Sequence, residues 1–193
     1  MKTYLLAGLS AAILAVSCTG LAAQTELNRN EIINSLQGAQ QEVNLSADEL
    51  QKAAIENIQK YPGANSPHDL PLADKLASLR QFNVEITFDF DSARIRPESY
   101  ETVGVIADAL HTPYLQGQTF VIVGHTDAKG ARQYNLDLSI KRAQAVREAL
   151  VTTFMVPPQY LFAVGLGEEQ LRDPSQPDAA VNRRVQLINL GFK

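Results

Sequence analysis

A four-stranded mixed sheet with two main helices packed on one face, an α/β (α+β) fold in the order β-α-β-α-β-β, is the class this sequence predicts. Three observations point to it. Phe120-Val121-Ile122-Val123 is an unbroken aromatic and β-branched run between Gly117 and Gly124, the pattern of a central strand buried on both faces. Apolar residues recur at three and four on either side of that run, the mark of helices. The last two apolar runs, 161–166 and 185–190, have no helical stretch between them. Short connections make right-handed crossovers the rule wherever neighbouring strands are parallel.

The elements follow in chain order. Lys2, an apolar stretch over 4–16, and then Ser17, Cys18, Thr19 and Gly20 form the layout of a secretory signal over residues 1–23, too short to span a bilayer as a mature helix. Two processing routes are open. Ala15-Val16-Ser17-Cys18 loosely resembles a lipobox, with cleavage near residue 17 and lipidation of Cys18; cleavage after Ala22 or Ala23 would discard that cysteine. Residues 24–60 are polar and hold two short helical patterns. Asn30 is placed to cap the first, before Glu31, and Ser46 with Glu49 forms a capping box for the second. Leu50, Ala54 and Ile58, with Ile55 beside them, make a narrow apolar stripe that docks either on the rest of the chain or on a partner. Residues 61–81 form a linker, beginning with the proline-rich YPGANSPHDLP and adding a helical turn or two near 72–79.

The domain proper covers 82–193. Alternation at Val84, Ile86 and Phe88 predicts its first strand, and Asp89-Phe90-Asp91-Ser92 ends it. Pro97, with preset φ and no donor, suits the first turn of a helix whose stripe is Tyr100, Val103, Ala107 and Leu110. After the central strand, Ile140, Ala143, Val146, Leu150 and Phe154 define the second helix, with Arg142 at the edge of the buried stripe. Pro157-Pro158 stops it. Val185, Leu187 and Asn189 share a face of the last strand.

Composition narrows the function. The chain has 193 residues and a formal charge of -4, with a pI near 5.4, and carries no basic run of the kind that neutralises phosphates, which argues against a nucleic-acid partner. One cysteine excludes an intramolecular disulfide and a cysteine-rich zinc site. No nucleophile elbow, Walker loop or dinucleotide fingerprint occurs, so neither an enzyme nor a cofactor is implied.

The informative stretch is 121–150, VIVGHTDAKGARQYNLDLSIKRAQAVREAL. Asp127 follows the central strand and Arg142 lies fifteen residues on, so an acid and a guanidinium flank one bend. Such a pair suits a ligand carrying both an ammonium and a carboxylate. Gly124-His125-Thr126-Asp127, Gly130, Tyr134-Asn135, Leu138-Ser139, Arg142-Ala143, Val146, Leu150 and Asn182-Arg183-Arg184-Val185 together resemble the OmpA-like C-terminal domain. That family, with members in OmpA, Pal and MotB proteins, binds peptidoglycan. The resemblance runs from about 82 to 190 and implies a periplasmic, non-catalytic module at the outer membrane and cell wall. In it Arg142 grips the carboxylate of stem-peptide diaminopimelate, Asp127 faces the ammonium, and Thr126, Asn135, Asp91 and Arg183 support them. Each has a plainer alternative: Asp127 closing its own turn, Arg142 pairing with a nearby acid, Asn135 or Asp91 capping, Arg183 lying along the sheet edge. Arg184 reads as structural. The loop 167–181 lacks the Gly-Arg pair frequent in the family, which leaves its ligand contacts open.

Two other functions stay in play. Helices within 24–60 could make the chain an accessory subunit that binds an envelope protein. A hydrolase or metal site would use His125 and Asp127, two apart on an extended segment, but His68 and His111 are placed too far off to complete it.

Overall fold

The computed structural model describes residues 27–38, 45–61 and 73–192. The signal segment with Cys18, and the linker portion holding His68, lie outside the described residues. The elements are α1 (Arg29–Leu36), α2 (Ala47–Lys60), α3 (Ala73–Ser78), β1 (Gln81–Val84), α4 (Ser99–Leu110), β2 (Thr119–His125), α5 (Arg132–Thr152), β3 (Leu161–Gly167) and β4 (Val185–Gly191), with single 3-10 turns before β3 and β4. No helix among the described residues is long and apolar enough to cross a membrane.

The sheet runs β1-β4-β2-β3. β2 is parallel to β3, as the crossover through α5 requires, and antiparallel to β4, which in turn pairs antiparallel with β1. Alternation along β2 sorts the core into two layers. Phe120 and Ile122 join Leu187, Val103, Ile106, Val146 and Leu150 beneath α4 and α5, with Ile32 and Leu36 of α1 alongside. Val121 and Val123 face the other way, onto Val164, Leu166 and Ile188, where Leu50, Ala54 and Ile58 of α2 cover them. Every residue of β2 is therefore buried. The α2 stripe lies against the chain's own sheet, and each large side chain in it contributes about 1.5–3 kcal/mol by burial; Ile55 stays on the outer side, 38% exposed.

The capping box predicted for α2 is present, with the Ser46 amide donating to Glu49 Oε2 at 2.8 Å and the Glu49 amide to Ser46 Oγ at 3.2 Å. Three local expectations need correction. The cap of α1 is Asn28 rather than Asn30, its side chain accepting from the Asn30 amide at 2.8 Å. The first strand stops at Val84, although Val84 and Ile86 are both buried. Its partner β4 begins at Val185, directly opposite Val84, and leaves nothing for residues 85–88 to pair with. The chain instead folds back on itself, Phe88 bridging Ile95. Tyr100 is 41% exposed and Ile106 takes the interior place. The cause is Ser99, whose buried hydroxyl accepts from the Thr87 amide at 2.9 Å and so turns the next residue outward.

Candidate acid and guanidinium site at the end of the central strand

Asp127 sits just past β2 and is 8% exposed. Its Oδ1 accepts from the Lys129 amide at 3.2 Å, closing the turn. Its Oδ2 accepts from Arg183 Nη1 at 2.6 Å. The carboxylate thus does both of the things open to it on sequence grounds, with lone pairs to spare. Arg183 is a half-exposed cation paired with Asp127 rather than a residue packed along the sheet edge.

Arg142 is braced from one side. Its Nε donates to the Ser92 carbonyl at 3.1 Å, and its guanidinium lies 4.9 Å from the centre of the Phe88 ring. Among the described residues no acid lies within ion-pair distance of it, and its one hydrogen bond is that from Nε. Burial, and next the positive charge of Arg183, make this guanidinium easier to deprotonate than usual, while Asp127 and Asp91 oppose that shift. Asp91, Asp127, Arg142 and Arg183 therefore share one electrostatic neighbourhood, in which two cations crowd each other.

The supporting positions divide. Asp91, in the left-handed region at φ 51°, accepts from the Tyr134 hydroxyl. Asn135 does not cap α5, whose N-cap is Ala131. It instead donates to the Asp127 carbonyl at 3.2 Å and the Lys129 carbonyl at 3.1 Å, stapling the turn to the helix. Thr126 is 3% exposed; its amide donates to the Gly167 carbonyl at 2.9 Å and its hydroxyl is buried without a partner among the described residues. Arg184, 9% exposed, bonds Asn83 Oδ1 and the Gln170 carbonyl, its pKa brought down to about 10 chiefly by burial and then by Arg172. The loop 167–181 closes on Asn182, whose amide nitrogen reaches the Gln176 and Pro177 carbonyls at 2.9 and 3.0 Å.

Sequence reasoning missed the acids after β3. Glu168 accepts from Asn135, and burial above all raises its pKa. Glu169 is clasped by Arg132 at 2.9 and 2.5 Å and accepts from Asn57 at 2.5 Å. Arg132 also donates to the Tyr61 carbonyl at 2.5 Å, pinning the end of α2 beside the site. In the sequence these are charges in polar stretches, with nothing to mark them as buried.

His125 is 2% exposed and its Nε2 shares a 2.9 Å bond with Gln186. Burial, then the nearby Arg184, hold its pKa well below the usual value, against the bond to Gln186. The ring is a neutral core group bonded to Gln186 rather than to Asp127. The unfolded imidazole takes a proton below about pH 6.5 while the folded one does not, so stability should fall as pH drops through about 6.5, by up to ~1.4 kcal/mol per unit. Glu168, whose raised pKa lets the folded state hold a proton, pulls the opposite way. Urea midpoints measured across this range should show a shallower fall for His125→Gln than for the parent; identical slopes would remove the imidazole as the cause.

The sheet and the helices packed on it define a small α+β domain. The chain belongs to the OmpA family, whose model matches residues 87–184. It is similar to the peptidoglycan-associated lipoprotein of Pseudomonas aeruginosa, 38% identical over 128 residues, which are 65% of this chain and 73% of that protein. It is also similar to outer membrane porin F of the same organism, 33% identical over 135 residues, covering 68% of this chain but only 38% of the porin. The periplasmic domain of Helicobacter pylori MotB, residues 97-256, shares the fold with a TM-score of 0.50 at 18% identity, over 58% of this chain and 83% of that one.

Proposed function

We propose that this chain binds peptidoglycan by gripping the diaminopimelate of the stem peptide, and so tethers the outer membrane or an envelope complex to the cell wall. It is a non-catalytic protein of the periplasm, associated with the outer membrane and cell wall, as its family membership and its likeness to a peptidoglycan-associated lipoprotein support. The observation that carries the ligand assignment is the state of Arg142: oriented by Ser92 and Phe88, crowded by Arg183, and without an ion-pair partner among the described residues. A ligand carboxylate there would relieve the repulsion between the two guanidinium groups. Its ammonium would find Asp127 and Asp91 nearby. A lipid on Cys18 would supply the second anchor, raising retention through effective concentration.

The test compares a diaminopimelate-containing tripeptide with its lysine analogue, which lacks the distal carboxylate. Losing one charge-assisted contact of ~1.5–3 kcal/mol should weaken binding roughly 10- to 150-fold in calorimetry. Arg142→Ala should lower affinity for the first peptide by about 30-fold or more, and should prevent sedimentation with purified sacculi. Equal heats for the two peptides would refute the assignment to Arg142.

The accessory-subunit alternative gains nothing from α2, whose apolar stripe is occupied by its own sheet.

A further inference from the structure

Glu168 directly follows β3 and is 4% exposed. Its carboxylate accepts from Asn135, and among the described residues no cation reaches it within ion-pair distance. Its neighbour Glu169 has Arg132 for that purpose. A glutamine at 168 would accept the same bond and avoid the cost of burying a charge, so compensation alone does not account for an acid here.

The bond to Asn135 offers another account. The Asn135 amide has two protons and three acceptors in reach: the Asp127 carbonyl, the Lys129 carbonyl and the Glu168 carboxylate. A charged acceptor orders this arrangement, because it holds the nitrogen of the amide, rather than its oxygen, toward the turn. The charged groups acting on Glu168 are few. Glu169 and Asp127 push its pKa up along with burial, while Arg132 and the Asn135 bond draw it down. The Glu168 and Asp127 carboxylates thus repel each other, while Asn135 joins the first of them to the backbone carbonyl of Asp127.

We infer that Glu168 is a positioning residue for the ligand's ammonium: its buried charge orients Asn135, which fixes the Asp127 turn, and it deepens the negative field that the turn presents. The inference rests on the diaminopimelate reading of the site. An arriving ammonium reduces the repulsion between Asp127 and Glu168, so binding favours the ionised form of Glu168, and protonation of that carboxyl opposes binding. Affinity therefore declines as pH falls through the titration of Glu168, by about fivefold, the difference between a charged and a neutral hydrogen bond.

Calorimetry on the full chain with the diaminopimelate tripeptide, at about pH 7.5 and about pH 5, tests this together with Glu168→Gln. The variant should bind about fivefold more weakly than the parent at the higher pH, and its affinity should change less between the two. Without ligand, the Asn135 side-chain amide signals should move with pH in the parent and stay fixed in the variant. A variant matching the parent in affinity, pH slope and amide signals overturns the role of Glu168 and leaves the site reading standing. A parent that does not bind the tripeptide at all removes the site reading, and this inference with it.

Discussion

Replacing Glu169 by alanine is expected to destabilise the fold by about 3–5 kcal/mol, because it strips the partner from a buried guanidinium. The Arg132 side chain is 7% exposed and that of Glu169 0%. With the acid gone, the Tyr61 carbonyl is the one acceptor left to Arg132 among the described residues, and Asn57 loses the carboxylate it donates to. A domain of this size melts roughly 10 °C lower for such a loss, a large part of the ~5–15 kcal/mol on which folding rests. The effect should appear first in α2, whose end is pinned by these bonds, as faster amide exchange between 47 and 60. Pairing Arg132→Met with Glu169→Leu separates bond energy from charge burial. Two apolar side chains should recover most of the stability. If Glu169→Ala melts within a degree or two of the parent, the ion pair is not the anchor its geometry suggests.

The same network shows why part of this protein was legible in sequence and part was not. β2, α5 and β4 announce themselves because burial on a regular element leaves a period in the chain: Val121 to Val123 without a break, then Ala143, Val146 and Leu150 at three and four. Ser46 and Glu49 are three apart and need only each other, so the start of α2 could be read locally. Asp127 and Arg142 stood out because a bend between a strand and a helix places both near one end of the sheet. Glu168, Glu169 and Arg132 carry no such mark. Glu169 and Arg132 meet α2 only through the fold, which brings Asn57 to a residue 112 positions away, and Glu168 meets Asn135 across 33. The end of β1 likewise depended on where β4 begins, and the outward turn of Tyr100 on a bond from Thr87 to Ser99. What fails to show in sequence here is long-range contact that sets the environment of a polar side chain, and it is concentrated where the candidate site lies.

Gly165→Ala is the other substitution with a large expected effect, and its cause is close packing of backbones. Gly165 and Gly124 are register partners on β3 and β2, and α5 lies directly over them. A Cβ on Gly165 would stand 2.4 Å from the Ile140 nitrogen and 2.5 Å from Ser139 Oγ; one on Gly124 would stand 2.3 Å from the Ser139 carbonyl oxygen. Helix backbone cannot yield as a side-chain tip can. The helix must lift from the sheet, which breaks the 2.9 Å bond from the Gly167 amide to Ser139 Oγ. Overpacking costs ~1–3 kcal/mol, occasionally more, when side chains can adjust, so about 3 kcal/mol or more is expected for Gly165→Ala, and the double substitution with Gly124→Ala should not fold. Arg142 lies one turn beyond Ser139, so a folded Gly165→Ala protein should also hold sacculi less well, although no ligand contact was removed. Gly191→Ala is the control. Gly191 has φ +81° and open space around its missing Cβ, so it should cost only the ~1–2 kcal/mol of a left-handed conformation and leave sedimentation unchanged. Equal losses at 165 and 191 would mean that the approach of α5 to the sheet does not set the position of Arg142.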